Sequence, residues 1–546
     1  MVVSSPSPGK VSRKLRLETN EPDDVIRQLL LRQRELESRL ARLEDSAFFR
    51  SLRWIGNTTR RWIGGGNSSE RSLGGPHPDY TRWIEQSGWL RPSRRECACR
   101  VEAWRRPVGF SYLMQSCPDA PPPLASDVLE FNSASSWQQA VYQARGEYSA
   151  IVPGGVALSP LAGYRWGEAL QEGDPDAIYS DWDHLTPSGL RHTPRFTPEL
   201  SRELLRRTSY WGSCFVVRSD LLRRCGAGLD PSQPGWTRSL ALQVAESAAV
   251  IARVPEVLWH TNDAPETVES ALDPDVDRGD TGEASIIVCS RTPRLLQQCL
   301  RALRRTDAAR AEIIAVAHAC GQEERLEAIA AAEGARAVRY SGQFHFGLMS
   351  SLGVAAASRP ALVFLNDDVE PVASEWLGAL LRPLRREEVG ITGGLLLYPD
   401  GTLQHAGISV GMRTSPAHPG RGQWSSPWWP WLRVTREVAA ATGACLAIRR
   451  AVWEELDGFD RRFHANYNDV DLCLRARRAG YSVVLESGAV LHHREARTRA
   501  VAVTPAEQSL FWSLWARELS SRDPFFSPNL TLPDERIELA WPIATA

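Results

Sequence analysis

Apolar and polar positions alternate in blocks through the second half of the chain. Residues 284–306 (ASIIVCSRTPRLLQQCLRALRRT) begin with an apolar run, pass through a polar turn and end in a segment whose leucines recur at helical spacing. Two further apolar runs, 311–319 (AEIIAVAHA) and 359–368 (RPALVFLNDD), predict strands with helical segments between them. Strands that alternate with helices predict an α/β fold with a mostly parallel sheet, whose ligands bind beyond the carboxyl ends of the strands.

The same pattern occurs twice. Residues 239–260 (SLALQVAESAAVIARVPEVLWH) align without a gap with 471–492 (DLCLRARRAGYSVVLESGAVLH), and each segment predicts a helix followed by a strand that ends in histidine. Shorter matches upstream keep the same order. We therefore predict two related α/β domains, at 125–265 and 283–530, joined by a linker at 266–282.

The N-terminal region follows a different pattern. Residues 1–21 are polar and predicted to be disordered, whereas apolar residues at 3-4 spacing in 22–48 predict one helix. About three heptads suit either a coiled coil for self-association or a helix packed on its own protein, with packing slightly favoured. Residues 49–124 read as a linker or irregular region, and residues 531–546 as a tail.

Tryptophan and arginine alternate in residues 49–75, within the predicted linker. This composition suits peripheral contact with an anionic membrane surface. A linker with scattered anchors remains the favoured interpretation.

Composition narrows the function classes. The 546 residues suggest about three to four domains, and a net charge of −1 gives no field for nucleic acid. The ten cysteines show no paired C-x-x-C spacing, which argues against a zinc module and a disulfide framework. Neither a signal peptide nor about 18 consecutive apolar residues occurs, so we expect a cytoplasmic protein.

Acidic residues stand where the pattern predicts ligand binding. Asn366, Asp367 and Asp368 directly follow an apolar strand, which suits a divalent cation such as Mn²⁺ or Mg²⁺ and suits an Asx turn equally well. Asp469 and Asp471 open a predicted helix, where a capping carboxylate is favoured but only one is needed. Because they lie two residues apart and point to different faces, one could act as a general base while the other orients a substrate hydroxyl or a neighbouring group.

Histidines stand at the end of the last predicted strand of the second domain. His492 and His493 end this strand, and an imidazole there could complete a cation site made of carboxylates. The internal alignment pairs His260 with His492 and therefore favours His492 over His493.

The second half resembles the family 2 glycosyltransferases of the GT-A fold, especially bacterial sugar transferases of O-antigen and rhamnan-type polysaccharide assembly. The stretches that carry the resemblance occur in family order and are SIIVCSRTPRLLQQCLRAL, FLNDDVEP, GGLLLYPDGTLQHAGISVGM, ATGACLAIRRAVWEELDGFD, NDVDLCLRARRAGY and LHHREA. The resemblance implies the GT-A fold, which is Rossmann-like. With the internal duplication and the predicted N-terminal helix, the expected fold is two tandem GT-A-like domains behind an N-terminal helical or coiled-coil segment.

The resemblance also implies roles for individual residues. Asp469 would be the catalytic base, and the metal would be bound by Asp368, His492 and Asp367. The nucleotide-sugar would contact Ser290, Arg291 and Asn366. The acceptor would contact Gly443, Ala444, Asp471 and Arg475. The expected activity is inverting transfer of a sugar from a nucleotide diphosphate to a glycan or lipid-linked glycan. The alternative is a non-catalytic scaffold or glycan-binding protein in polysaccharide assembly.

Several family positions differ in this chain. After the strand at 312–316 the family usually shows Asp-Asn, where this chain has Ala317 and His318, and family asparagines appear as His345, Ser350 and Ser351. These changes are expected to remove hydrogen bonds from the donor pocket and to alter affinity or nucleotide preference.

The first copy lacks the acids of the second. Residues 152–160 (VPGGVALSP) contain no carboxylate where the metal-binding motif is expected, and Thr237 aligns with Asp469. We therefore expect a catalytically inactive domain. Asp181 and Asp183 remain and are interpreted as a strand-end turn, and Trp182, Trp211 and Trp236 as buried packing.

Overall fold

A computed structural model describes residues 77–88, 97, 100–115, 122, 124–263, 280–413, 415–494 and 503–541. All of them belong to one compact unit, residues 73–546. The predicted helix at 22–48 and the Trp/Arg segment at 49–75 lie outside the described residues. No described helix is long and apolar enough to cross a membrane.

The first sheet is built from strands between residues 110 and 261. Its strands are β1 (Phe110–Met114), β2 (Ala125–Glu130), β3 (Tyr148–Val152), β4 (Val156–Leu158), β5 (Ala177–Leu185), β6 (Arg191–Arg195), β7 (Phe215–Arg218) and β8 (Ile251–Thr261). Their order is β2-β1-β3-β7-β5-β8-β4, with β6 beside β5. The helices of this region are α1 (Pro78–Gly88), α2 (Ala134–Gln143), α3 (Ala162–Glu172), α4 (Arg202–Arg207), α5 (Ser219–Cys225) and α6 (Trp236–Ser247).

The second sheet follows from residue 284. Its strands are β9 (Ala284–Ser290), β10 (Glu312–His318), β11 (Arg336–Tyr340), β12 (Ala361–Asn366), β13 (Val369–Pro371), β14 (Val389–Leu397), β15 (Leu403–His405), β16 (Arg436–Glu437), β17 (Cys445–Arg449) and β18 (Ser482–His493). Their order is β11-β10-β9-β12-β17-β14-β18-β13, with β15 beside β14 and β16 beside β18. The helices are α7 (Pro293–Arg304), α8 (Glu323–Ala332), α9 (Phe346–Ala356), α10 (Trp376–Leu381), α11 (Arg450–Glu455), α12 (Asn468–Arg478) and α13 (Pro505–Ser520).

The two sheets share one plan. The order β2-β1-β3-β7-β5-β8-β4 repeats as β10-β9-β12-β17-β14-β18-β13, with the same parallel and antiparallel pairs. The register also repeats, because Tyr148 pairs with Arg218 as Ala361 pairs with Arg449. This repetition is what an internal duplication would produce, and it gives a residue-by-residue correspondence between the sheets.

Neither sheet is mostly parallel, so this part of the prediction is wrong. In the second sheet β17 lies antiparallel to both β12 and β14. In the first sheet β7 takes the same place between β3 and β5. The apolar pattern shows which segments are strands but not their direction, and a reversed central strand makes both sheets mixed.

The first sheet begins earlier than the predicted boundary at residue 125. Strand β1 lies within the range 49–124, which was expected to be a linker, and it is central because β2 and β3 flank it. All five residues of β1 are buried, so its short run FSYLM carries no alternation that would predict a strand. Helix α1 lies in the same range, with Tyr80 and Trp83 buried.

The C-terminal region contacts helix α12 and a strand of the first sheet. Helix α13 begins with a capping box of Thr504 and Glu507, and its Trp515 is 1% exposed. Farther along, β19 (Leu530–Thr531) pairs with β20 (Glu538–Leu539), which lies in the predicted tail. The Asn529 side chain reaches the first sheet, where it donates a hydrogen bond to Asp181 (2.7 Å).

Candidate active site

Several of the predicted site residues lie where β9 and β12 end and β17 begins. Strands β9 and β12 are parallel, and the antiparallel β17 begins at the edge where they end. The backbone N–H of Asn366 donates to the carbonyl oxygen of Ala444 (3.1 Å). The strand-end carboxylates and the Gly443–Ala444 loop are therefore neighbours.

Asp368 is paired with a histidine. Its Oδ1 lies 3.1 Å from His493 Nε2, and both side chains are largely buried, with 7% and 12% of their surfaces exposed. The other ring nitrogen of His493, Nδ1, lies 2.7 Å from Gln404 Oε1. Gln404, His493 and Asp368 therefore form one continuous polar chain.

The histidine at this place is His493, not the predicted His492. Neighbouring side chains on a strand point to opposite faces, so only one of the two can face Asp368. The register pairs Val369 with His493 and Val156 with Thr261, so His493 corresponds to Thr261 of the first sheet. The first copy has a histidine at the other position, His260, and the internal alignment therefore favoured the neighbour of the histidine that contacts Asp368.

The Asp367 side chain contacts the end of β9, the strand that lies beside β12 in the sheet. The Ser290 hydroxyl donates to Asp367 Oδ2 (2.6 Å), and both residues are buried. This contact fixes the turn after β12, so the predicted roles of Ser290 at the nucleotide and of Asp367 at the metal are not supported by their contacts. Arg291, which follows Ser290, is exposed.

Asp469 lies in the first turn of α12 and faces the Gly443–Ala444 loop. The Gly443 N–H donates to its Oδ2 (2.8 Å), and the residue is half-buried. Tyr467, at the start of the helix, has a φ of 64°, which turns the chain into α12. Asp469 therefore borders the loop whose other side contacts Asn366.

Asp471 and Arg475, predicted at the acceptor, bind each other and neighbouring groups of the protein. Asp471 is 1% exposed, and its two oxygens accept hydrogen bonds from Arg475 Nε (2.8 Å) and Trp515 Nε1 (3.0 Å). Burial raises the pKa of the Asp471 carboxyl, and Arg475 opposes that rise. Arg475 also donates to the carbonyl oxygens of Leu456 and Gly458 (2.5 and 2.7 Å). This buried ion pair holds α12 in place.

The positions where this chain departs from the family pattern are buried or form hydrogen bonds within the protein. His345 Nδ1 accepts the Leu348 N–H (3.2 Å), so the imidazole caps α9. Ser351 Oγ donates to the Gly347 carbonyl (2.8 Å) within the same helix, and Ser350 is fully buried. His318 is 8% exposed, with its Nε2 2.8 Å from the Gly342 carbonyl oxygen. The expected loss of donor contacts at these positions stays a prediction.

The corresponding place in the first sheet is filled. Gly155 and Thr261 stand where the second sheet has Asp368 and His493. Gly212 corresponds to Gly443, and a Cβ on Gly212 would lie 2.2 Å from the Trp259 ring. Trp259 stacks on Trp182 with ring centroids 4.9 Å apart. Packed indoles thus occupy the space above this loop.

Asp181 and Asp183 do not form a strand-end turn, so that interpretation is wrong. Both lie inside β5 and are 0% exposed. Asp183 accepts hydrogen bonds from Tyr80 and Arg191 and contacts His260, whereas Thr197 and Asn529 donate to Asp181. These partners come from distant segments, which the local sequence does not reveal.

Sequence reasoning gave no role to Gln404 and His405. Both are buried, although they lie in a short hairpin between apolar residues. His405 Nε2 accepts the Thr442 N–H (3.4 Å), next to the Gly443–Ala444 loop. A signal for them was available in the sequence: the polar pair follows Leu403, just after the turn-type residues Pro-Asp-Gly-Thr at 399–402.

The Asp368–His493 pair fits a divalent cation. A carboxylate oxygen and an imidazole nitrogen are ligands that Mn²⁺ accepts, and adjacent ligands at about 2.1 Å from an octahedral ion lie about 3 Å apart. A cavity of about 180 Å³ opens beside Asp368, between α7 and β13. Among the described residues no group of three or more His, Cys, Asp or Glu side chains could hold a metal ion. The pair would therefore leave further ligand positions to substrate and water.

The chain is similar to known sugar transferases. Residues 283–508 match the family described as "Glycosyltransferase like family 2". The O-antigen biosynthesis protein RfbC of Myxococcus xanthus is 29% identical over 451 residues, 74% of this chain and 35% of that protein. The N-acetylglucosaminyl-diphospho-decaprenol L-rhamnosyltransferase of Mycobacterium tuberculosis is 32% identical over 123 residues, 20% of this chain and 39% of that protein. The chain thus spans less than two fifths of either relative.

Solved structures give a weaker similarity. A mannosyltransferase from Pyrobaculum calidifontis in complex with GDP-Man and Mn²⁺ is 15% identical, with a TM-score of 0.31, over 41% of this chain and 61% of that one. A similarity of this size does not extend to ligands. The identification rests on the sequence match, and the chain contains a family 2 glycosyltransferase domain at residues 283–508.

Proposed function

We propose that the chain is an inverting, metal-dependent glycosyltransferase that moves a sugar from a nucleotide diphosphate to a hydroxyl group of a cell-surface polysaccharide or O-antigen acceptor. The family match at 283–508 supports sugar transfer. The relative from Myxococcus xanthus is named as an O-antigen biosynthesis protein, which supports a role in O-antigen assembly. The acceptor in this proposal is a glycan or a lipid-linked glycan.

One observation carries the proposal. The Asp368–His493 pair and Asp469 lie on either side of the Gly443–Ala444 loop, which contacts Asn366 on one side and Asp469 on the other. A cation site and a carboxylate base are the two groups that a single displacement at an anomeric carbon needs. Both come from one sheet edge of the family domain.

The cation site is Asp368 and His493. A divalent cation bound there would stabilise the negative charge that develops on the departing diphosphate. Asn366 lies beside this pair, with its Nδ2 3.5 Å from His493 Nε2. Arg291, exposed at the end of β9, supplies positive charge at the same edge.

Asp469 is the base. The Gly443 N–H orients its Oδ2, and the carboxylate takes the proton from the acceptor hydroxyl as the oxygen attacks the anomeric carbon. A Cβ on Gly443 would lie 3.4 Å from the Phe346 ring and 3.5 Å from Asp469 Cβ, so the loop backbone passes close to the base. Because one displacement occurs from the face opposite the leaving group, the configuration inverts and no covalent enzyme intermediate forms.

The first domain does not perform catalysis in this proposal. Gly155 and Thr261 replace the cation ligands, and Trp182 and Trp259 fill the space above Gly212. The domain braces the active one through its packing against β16.

Turnover of a panel of nucleotide sugars with Mn²⁺ tests the proposal. We expect Asp469→Asn to lower turnover by at least about 100-fold, because the base is lost, while nucleotide binding persists. Asp220→Asn is the matched control, since Asp220 also opens a helix but is exposed in the first domain. If the parent shows neither turnover nor Mn²⁺-dependent nucleotide binding, the non-catalytic scaffold is the better account.

A further inference from the structure

Gln404 is a buried polar residue next to the cation pair. It lies in the middle of β15, is 6% exposed, and its Oε1 is 2.7 Å from His493 Nδ1. We propose that Gln404 is a positioning residue, which fixes the His493 ring so that its Nε2 lone pair faces Asp368. This inference rests on the proposed function, because it concerns the same cation site.

The contact with Gln404 decides which nitrogen of the His493 ring carries the hydrogen. An amide oxygen only accepts hydrogen bonds, so the contact with Gln404 Oε1 requires the hydrogen on His493 Nδ1. In the neutral ring the other nitrogen, Nε2, then carries the lone pair. Asn366 Nδ2, which only donates, lies 3.5 Å from Nε2 and favours the same arrangement.

When the ring is neutral, this arrangement places two electron-pair donors face to face. His493 Nε2 and Asp368 Oδ1 lie 3.1 Å apart, and neither the neutral ring nor the carboxylate offers a hydrogen between them. A cation bound by both atoms removes the repulsion. A ring turned so that its N–H faced Asp368 would instead form an ordinary hydrogen bond and close the site.

The hairpin that carries Gln404 is held on both sides. On one side β15 pairs with β14, Leu396 with His405 and Leu397 with Leu403. On the other, the backbone of Leu403 exchanges hydrogen bonds with Gly422 (2.7 Å) and Gln423 (2.9 Å). The Gln404 backbone is thus fixed before any ligand binds.

The same hairpin reaches the loop beside the base. The adjacent His405 accepts the Thr442 N–H, one residue before Gly443. Gln404 and His405 therefore join the cation side of the site to its acceptor side. A group that orients a metal-binding histidine through its second nitrogen typically changes metal affinity by about 10–100-fold when removed.

Mn²⁺ affinity of the full chain, measured by electron paramagnetic resonance titration without donor sugar, tests the proposal. Gln404→Leu removes the acceptor at similar size, whereas Gln404→Glu keeps an acceptor oxygen. Gln423→Leu is the matched control, because Gln423 lies beside the same hairpin but its Oε1 accepts the Ile537 N–H (3.1 Å) instead. Near-ultraviolet circular dichroism checks that each variant is folded.

We expect Gln404→Leu to weaken Mn²⁺ binding by about 10–100-fold, and Gln404→Glu and Gln423→Leu to bind within about three-fold of the parent. Equal binding by Gln404→Leu and the parent would overturn the proposal, as would equal losses in Gln404→Leu and Gln404→Glu. Should Gln404→Leu fail to fold, a loss in Gln404→Glu alone would overturn it and parent-like binding would support it. If the parent and Asp368→Ala both fail to bind Mn²⁺, the proposed function itself fails.

Discussion

At the residue scale, the adjacent histidines at the end of β18 face opposite sides of the strand. His493 contacts Asp368 and Gln404, whereas His492 pairs across the sheet edge with Glu370. Both are partly buried and chemically identical, so only the direction of the side chain decides which of them contacts Asp368.

Exchange of each histidine for alanine tests this difference. We predict that His493→Ala weakens Mn²⁺ binding by at least about 100-fold, because an imidazole ligand is lost. His492→Ala, the matched control on the same strand, should bind Mn²⁺ within about three-fold of the parent. Isothermal titration calorimetry measures both affinities, and the reverse order would assign the site to His492.

At the element scale, the loop before α12 depends on one carboxylate from α13. Glu507 Oε1 accepts the backbone N–H groups of 464, 465 and 466 at 3.1–3.2 Å. Although burial opposes ionisation, these hydrogen bonds and those from Asn466 and Thr504 hold the pKa of Glu507 at about 2. This carboxylate therefore stabilises the segment that leads to Asp469.

The pH dependence of stability tests the role of Glu507. A folded pKa of about 2, below the usual 4.5, means that its contribution is present above about pH 4.5 and is lost as the pH falls towards 2. We predict that Glu507→Gln lowers the free energy of unfolding by about 2 kcal/mol at pH 7 and by progressively less below pH 4.5. Urea unfolding from pH 3 to pH 7 measures this, and a difference independent of pH would contradict it.

The elements were predictable to different extents. The strands β9, β10 and β12 and helix α7 follow from the apolar pattern. Asp368 follows from its place just after β12, and Asp469 from its place in the first turn of α12. The antiparallel direction of β17 could not be predicted from the apolar pattern, because tertiary contacts set the direction in which strands pair. His493 and Gln404 were missed for the same reason, since neither side-chain direction nor a hairpin contact is encoded locally.

At the scale of the whole molecule, a buried carboxylate joins the two sheets. Glu437 of β16 accepts hydrogen bonds from the Ser201 hydroxyl and from the Glu203 N–H (3.1 Å) at the start of α4. The Glu203 carboxylate is held by Arg206 and Arg386 (2.5 and 2.7 Å). Burial and the nearby Glu203 carboxylate raise the pKa of Glu437 to about 7.

This junction makes the stability of the protein depend on pH near neutrality. Because the folded chain keeps a proton on Glu437 that the unfolded chain releases near pH 4.5, stability falls as the pH rises from 4.5 to about 7. Glutamine cannot ionise. We predict that Glu437→Gln raises the free energy of unfolding by about 2 kcal/mol at pH 8 and changes it little at pH 5. Thermal unfolding at both pH values measures this, and equal effects at pH 5 and pH 8 would contradict it.

The position of the bound cation tests the central claim most directly. Crystals of the protein grown with Mn²⁺ and a nucleoside diphosphate can be measured at a wavelength where manganese scatters anomalously. The account predicts one strong anomalous peak within bonding distance of Asp368 Oδ1 and His493 Nε2, on the same side of the sheet edge as Asp469. A peak bound to His492, or none at Asp368, would contradict it.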